Sequence, residues 1–304
     1  MTVERKLAQR DMRAIAALLV GAAGTAFAPI LVRVSELAPT ATAFWRMALA
    51  VPCIGLWMLL VRRSGAQQPP RSAPGDRMLL ALTGVFFAGD LLALHGSISL
   101  TSIANAVLFL NSQPIWVVIG AWLLFRQRVN ARFLGGLTLA LAGSVFVIGA
   151  SLTPARDRLW GDALGVLSGV FYAAYILVAV RLRAHHGSLS VMAWTSVVAS
   201  PILLAAAWFS GVALWPETWR GFGLLLALAL VGQVAGNGLI VYALAHLPAA
   251  FSAVALLSQP LLAALFAWWL LGESLGAMQA LGLGTVLAGI CVCYLASRTA
   301  PPLR

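Results

Sequence analysis

The fold class this sequence predicts is all-α and integral to a membrane: ten transmembrane helices arranged as two inverted five-helix repeats. Three observations carry that expectation. Of the 304 residues, 61% are apolar and only 10% are charged, and mean hydropathy is +0.93, whereas about 25% of a soluble domain is charged. The apolar residues fall into ten runs, each near the roughly 20 residues that cross a bilayer as a helix. The chain also copies itself at an offset of 146 residues: Ser112-Gln113-Pro114 returns as Ser258-Gln259-Pro260, and Ala121, Trp122, Leu124, Gly136, Leu137, Leu141, Ala142 and Gly143 as Ala267, Trp268, Leu270, Gly282, Leu283, Leu287, Ala288 and Gly289.

The elements follow in order. A basic arm over 1–13 precedes helix 1 at 14–34. Ala26-Phe27-Ala28 imitates a signal-peptidase site. Pro29 follows it directly, however, and the segment recurs, with Ala17-Leu18 matching Ala163-Leu164 and Ala28, Ile30, Leu31 and Val32 matching Ala174, Ile176, Leu177 and Val178. It therefore reads as a retained helix. Runs at 39–61, 77–98, 103–125 and 132–150 complete a first repeat over 14–150. Within it, only 62–76, with Gln67-Gln68-Pro69-Pro70 and Pro74, is a loop of any length. A linker over 151–160 leads to the second repeat, 161–296, with runs at 161–181, 189–209, 219–242, 249–271 and 277–296 and a tail over 297–304. The runs leave no room for a soluble catalytic domain.

Charge sets the expected orientation. With the N-terminus cytoplasmic, inside segments hold fifteen of the 20 Lys and Arg residues, and outside loops hold Arg156, Arg158 and Arg220. Both termini are thus expected in the cytoplasm. Five helices per repeat is an odd number, so the two copies enter the membrane from opposite sides. Arg126-Gln127-Arg128 accordingly aligns with Gly272-Glu273-Ser274, where the arginines are lost. Inverted repeats of this kind are the architecture of secondary transporters, which hold substrate near the midplane and expose it to each side in turn. The net charge of +11 lies between the apolar runs and forms no continuous basic patch interleaved with aromatics, which excludes nucleic acid as a partner. Cys53, Cys291 and Cys293 lie inside apolar runs with no second pair to complete a metal site.

These features resemble the drug/metabolite transporter superfamily, and within it the EamA-type group. The residues that carry the resemblance are Leu110–Pro114 with the glycine-rich Gly135-Gly136 and Ala142-Gly143 that follow, Leu271-Gly272-Glu273-Ser274 ahead of Gly282 and Gly289, and Tyr242-Ala243-Leu244. The resemblance spans about 14–296 and implies a bacterial inner-membrane exporter of amino acids and related metabolites, with helices 1–4 and 6–9 around a cavity and helices 5 and 10 bracing it. Gly96 and Gln127 stand where the second copy has Tyr242 and Glu273, so the first half departs from the pattern.

Candidate site residues each have a functional and a packing reading. Pro114 and Pro260 remove a backbone donor and are expected to kink helices 4 and 9, turning Gln113 and Gln259 into a cavity or, alternatively, toward a neighbouring helix. An ionisable group inside a membrane is a functional hypothesis by default. Asp90, in the middle of helix 3, is the foremost, with Asn237 in the corresponding Ala235-Gly236-Asn237-Gly238. Arg46 could bind a carboxylate, pair with Asp90, or snorkel to the interface. His95 could touch substrate or carry a proton, or be structural. Phe86-Phe87, Trp116, Phe171-Tyr172, Tyr175 and Tyr242 could form an aromatic box, while Trp45, Trp57, Trp160, Trp194, Trp208, Trp215 and Trp219 read as an interfacial belt.

Enzyme signatures are missing. Gly165-Val166-Leu167-Ser168-Gly169 lacks nucleophile-elbow spacing, there is no phosphate-binding loop or paired carboxylate, and His185-His186 is expected in a cytoplasmic loop with no partner. No catalytic residue, metal or cofactor is expected. The reading is a transporter of a small-molecule substrate in the lipid bilayer, amino acids including aromatic ones, working by alternating access. The alternatives are an exporter of toxic organic cations and a membrane scaffold. A monomer suffices for this reading.

Overall fold

In the computed structural model, residues 3–63, 75–149, 159–271 and 276–298 are described. Among them, ten helical spans are long and apolar enough to cross a membrane. They are Met12–Arg33, Pro39–Val61, Asp76–Leu100, Asn105–Phe125, Ala131–Ile148, Leu159–Leu182, Ser188–Phe209, Trp219–Ala243, Ala249–Leu270 and Ala277–Ser297. Much of the apolar surface faces outward, with Trp208, Phe209, Trp215 and Trp219 exposed, as expected where lipid rather than water is the solvent.

The helices are α1 (Val3–Arg33), α2 (Pro39–Arg63), α3 (Asp76–Leu100), α4 (Ile103–Leu110), α5 (Gln113–Phe125), α6 (Ala131–Gly149), α7 (Leu159–Leu182) and α8 (Ser188–Phe209). The ninth, α9 (Trp219–Ala227), continues through a π-helical stretch, Leu228–Asn237, into α10 (Gly238–Ala243). Last come α11 (Ala249–Ala255), α12 (Ser258–Leu271) and α13 (Ala277–Arg298). Because α1 starts at Val3, the basic arm is continuous with the first span.

Two compact units emerge, and each draws on both repeats: Met1–Leu92 with Val178–His246, and Ala93–Leu177 with Leu247–Arg304. In the second unit the dominant packing is α6 on α13. A Cβ at Gly136 would lie 2.9 Å from the Gly289 carbonyl oxygen, and one at Gly143 would lie 3.0 Å from that of Gly282. Ascending α6 thus meets descending α13, so these two repeat-equivalent helices run antiparallel, as an inverted repeat requires. Without a hydrophobic drive between helices in lipid, such backbone-to-backbone approach is what holds them together.

Spans four and nine differ from the expected kinked helices. Each is two helices separated by a two-residue turn, Asn111–Ser112 and Leu256–Leu257, the second one residue short of the repeat offset. Bonds from the Ser112 amide to the Phe109 carbonyl (3.1 Å) and from the Leu257 amide to the Val254 carbonyl (3.0 Å) tighten the turns. Pro114 and Pro260 sit in the first turn of α5 and α12, where a missing N–H costs nothing because that donor has no intrahelical acceptor. By contrast, Pro29, Pro52 and Pro201 stay inside unbroken helices.

In the first unit, α1 packs against the π-helical stretch. A Cβ at Gly21 would lie 2.7 Å from the Gly236 carbonyl oxygen and one at Gly24 3.0 Å from that of Val231. The stretch has a sequence cause. Leu79-Leu80-Ala81-Leu82 recurs as Leu225-Leu226-Ala227-Leu228 at offset 146, but Ala88-Gly89-Asp90 aligns with Ala235-Gly236-Asn237 at 147. One residue has been added within Leu228–Asn237, and an i→i+5 turn holds one residue more than an i→i+4 turn.

Polar contacts join the ends of helices in this unit. The Glu36 carboxylate, on the α1–α2 connection, accepts from the backbone amides of Glu217 (3.0 Å) and Thr218 (3.2 Å) and from the Thr218 hydroxyl, at the N-terminus of α9. The Thr218 hydroxyl bond, opposed by partial desolvation, holds the Glu36 carboxyl below the usual carboxylate range. This link is therefore complete above that range and is lost as pH falls through the depressed value. Glu36→Gln is expected to lower the melting temperature at neutral pH, and the deficit relative to wild type should shrink as the wild-type carboxyl protonates. At the opposite ends of the helices, His186 is buried and its Nε2 lies 2.8 Å from Asp76 Oδ2. The expectation that His185-His186 lacks a partner is thus corrected for His186. Its partner starts α3, 110 residues away. The Arg183 guanidinium donates to the carbonyls of Val241 (3.0 Å) and His186, and desolvation pushes its pKa down.

Candidate functional site

The first unit gathers buried polarity from three helices. Arg46 is seven residues into α2, about 10 Å along the helix. Its Nη2 donates a long hydrogen bond, 3.4 Å, to the Gly232 carbonyl in the π-helical stretch. Its guanidinium carbon lies 5.9 Å from the centre of the Phe87 ring on α3, within cation–π range. Asp90 is three residues beyond Phe87 and therefore on the same face of α3. It is 6% exposed and about 21 Å from the start of its helix. A cation thus lies over one buried aromatic ring, and an anion sits one turn further along the ring's helix.

The π-helical stretch completes the group. Gln233 and Asn237 are buried, and the Asn237 amide donates to Gln233 Oε1 at 2.8 Å. Gln233 Nε2, in a fully buried side chain, has no hydrogen-bond partner among the described residues. A donor left in that state costs about 1–3 kcal/mol. Gln233 was not singled out from sequence. A glutamine within an apolar span was the available signal, but the helices packed on its stretch, α1 and α2, come from the other repeat and were not visible.

Tyr242 lies apart from this group. Near the end of its span, its ring meets His246 edge-on at 4.9 Å. His95 belongs to the other unit. It is five positions beyond Asp90, about 140° around the helix, so the two do not share a face.

The second unit collects the remaining sequence-predicted residues around the break between α4 and α5. Gln113 is buried, with Oε1 unpartnered among the described residues. The Trp116 indole donates to the Ser112 hydroxyl at 3.1 Å. Gly169 of α7 lets the break approach closely, since a Cβ there would lie 2.9 Å from the Leu110 carbonyl oxygen and 3.4 Å from the Gln113 amide. Tyr172, one turn further along α7, stacks on Tyr175 at 5.9 Å, and both are buried. Gln259 and Pro260, at the start of α12, are half-buried, and α5 packs on α11, so the two broken spans meet directly. No group of three or more His, Cys, Asp or Glu that could hold a metal occurs among the described residues.

Comparison with known proteins follows from this geometry. The sequence profile of the EamA-like transporter family matches residues 12–149 and again 159–295, one match per repeat. An uncharacterized transporter of Archaeoglobus fulgidus is 28% identical over 269 residues, 86% of this chain and 89% of that protein. The threonine/homoserine exporter RhtA of Escherichia coli is 29% identical over 218 residues, covering 72% of this chain and 71% of RhtA. A solved crystal structure superposes with a TM-score of 0.76 at 16% identity, covering 94% of this chain and 98% of its own, and shares the fold. Ten spans, two family matches at the two repeats and antiparallel repeat-equivalent helices lead to one conclusion: the chain is a multi-pass membrane transporter, not an enzyme, and belongs to the EamA-like transporter family.

Proposed function

We propose that this transporter exports amino acids, aromatic ones included, or lets them equilibrate across the membrane by alternating access. The observation that carries the reading is the Arg46–Phe87–Asp90 group, in which a half-buried cation, a buried ring and a buried carboxyl lie within one unit. Buried charge in a membrane is expensive and marks substrate or ion pathways. The likeness to a threonine/homoserine exporter supports the same class. Each compact unit mixes helices of both repeats, which favours those units, rather than the two sequence halves, as the moving bodies. Asp90 is the one acidic candidate for ion coupling, and the reading is uncoupled transport down the substrate gradient. The location is a bacterial inner membrane with both termini cytoplasmic, on the distribution of Lys and Arg.

The test is counterflow in proteoliposomes that hold only this protein. Preloaded amino acids should drive accumulation of the same radiolabelled amino acids at least tenfold above empty liposomes. Counterflow of organic cations instead, lost in Asp90→Asn, would establish the second reading, which the buried carboxylate favours. Transport driven by an imposed pH gradient and lost in Asp90→Asn would overturn the uncoupled reading. No counterflow by any amino acid, sugar or cation would end the proposal.

A further inference from the structure

We propose that the Arg46 guanidinium and the Gln233 side-chain amide together bind a substrate carboxylate, with Asp90 receiving the α-ammonium of the same molecule. The inference rests on the amino-acid reading above and names the residues that would enforce it.

The argument starts from the unmet donor. Asn237 occupies Gln233 Oε1, which fixes the amide so that Nε2 is the end without an acceptor among the described residues. The residue immediately before it, Gly232, presents its carbonyl to Arg46, and the guanidinium lies close beside it, its Nε 3.7 Å from where a Cβ would stand. Two donor groups, one of them positively charged, are thus carried to neighbouring positions of the π-helical stretch. The group suited to both is a planar anion with two acceptor oxygens, which a guanidinium recognises in fork geometry.

Charge then selects which anion. Arg46 and Asp90 sum to zero, so a net-neutral zwitterion adds no uncompensated charge to a low-dielectric site, whereas a phosphate dianion or an unpaired amine would. Phe87 lies between the two charged residues in the contact order: the cation is over its ring, and Asp90 is one turn along its helix. The one-residue insertion that creates the π-helical stretch belongs to this repeat alone. The first repeat has Phe86-Phe87 where the second has Gly232-Gln233 at offset 146, which gives the protein one such carboxylate seat rather than two.

The experiment measures binding to the purified full-length protein by thermal shift and equilibrium dialysis with three probes: threonine, threonine amide and the corresponding hydroxy acid without the amino group. Wild type is expected to bind threonine at least tenfold more tightly than its amide. In Gln233→Met, close in volume but without the donor, that preference should fall about tenfold with the affinity for the amide unchanged. Arg46→Lys, which keeps the charge and loses the fork, should do the same and serves if the first variant does not fold. Asp90→Asn should instead weaken threonine relative to the hydroxy acid. Equal binding of threonine and its amide by wild type, equal loss of both in Gln233→Met, or no binding of any probe would each overturn the site. Stabilisation by the amide alone, abolished in Gln233→Met, would overturn it too, by making the unmet atom an acceptor. If amino-acid counterflow fails while the hydroxy acid still binds through Gln233, the transport reading falls and the carboxylate seat stands. If counterflow succeeds and the preference is unmoved, the seat alone falls.

Discussion

Replacing Gly289 with leucine should eliminate folded protein from detergent extracts, while the same change at Gly284, five residues earlier on α13, should leave the yield and melting temperature near wild type. A Cβ at 289 would stand 2.5 Å from the Ala140 amide nitrogen and 2.7 Å from the Gly136 carbonyl oxygen, whereas nothing lies within 4 Å of one at 284. The obstructing atoms are backbone, which cannot rotate aside as a side chain does, so the helices must separate. Overpacking a core costs about 1–3 kcal/mol when neighbours can adjust, and here the cost falls on the most extensive helix pair in the unit. Against a total stability of roughly 5–15 kcal/mol, that loss is large. Size-exclusion profiles and thermal melts of the two variants decide it. Equal behaviour at 284 and 289 would show that the close approach of α6 and α13 is not what holds the unit.

Deleting Leu230 should have the opposite signature, leaving folding nearly intact and reducing counterflow more than tenfold. Leu230 is exposed, 42%, within the π-helical stretch. Its removal restores the offset of 146 throughout span eight and lets i→i+4 bonds close, while α9 and α10 keep their faces. What disappears is the widened turn that presents the Gly232 carbonyl to Arg46, while Gln233 and Asn237 stay four residues apart and remain neighbours. Wide turns of this kind recur at functional sites. A fall in melting temperature as severe as that of Gly289→Leu would assign the stretch a structural role, and unaltered counterflow would remove it from the transport pathway.

Span positions were legible in the sequence because crossing a bilayer is a matter of length and composition, and neither depends on distant contacts. The repeat also exposed Gly136, Gly143, Gly282 and Gly289 as equivalents, although not that each meets the other's copy. Prolines told less. Five lie inside spans, and only Pro114 and Pro260 follow a break, because the interruption is made by the two-residue turn before them. Asp90, Asn237 and Gln113, expected to face a cavity, are buried in the structure, and they were noticeable because a polar side chain inside an apolar run stands out. Their groupings were hidden. Asp90 and His95 are close in sequence and fall in separate units, while Asp76 and His186 are 110 residues apart and touch. The π-helical stretch escaped notice because a slip of one residue is invisible until the matches on both sides of it are compared.

The α6–α13 seam has a consequence for descent. Gly136 meets Gly289 and Gly143 meets Gly282, and each pair joins a position in one repeat to the complementary position in the other. Residue i touching copy j while residue j touches copy i is the definition of an isologous interface, the kind two identical chains make about a two-fold axis. A single five-helix ancestor carrying these two glycines could have built the whole seam with an upside-down copy of itself, before any fusion. Fusion then freed each copy to change alone, and the arginines at 126 and 128, the aspartate at 90 and the inserted residue of span eight are where the two have since parted.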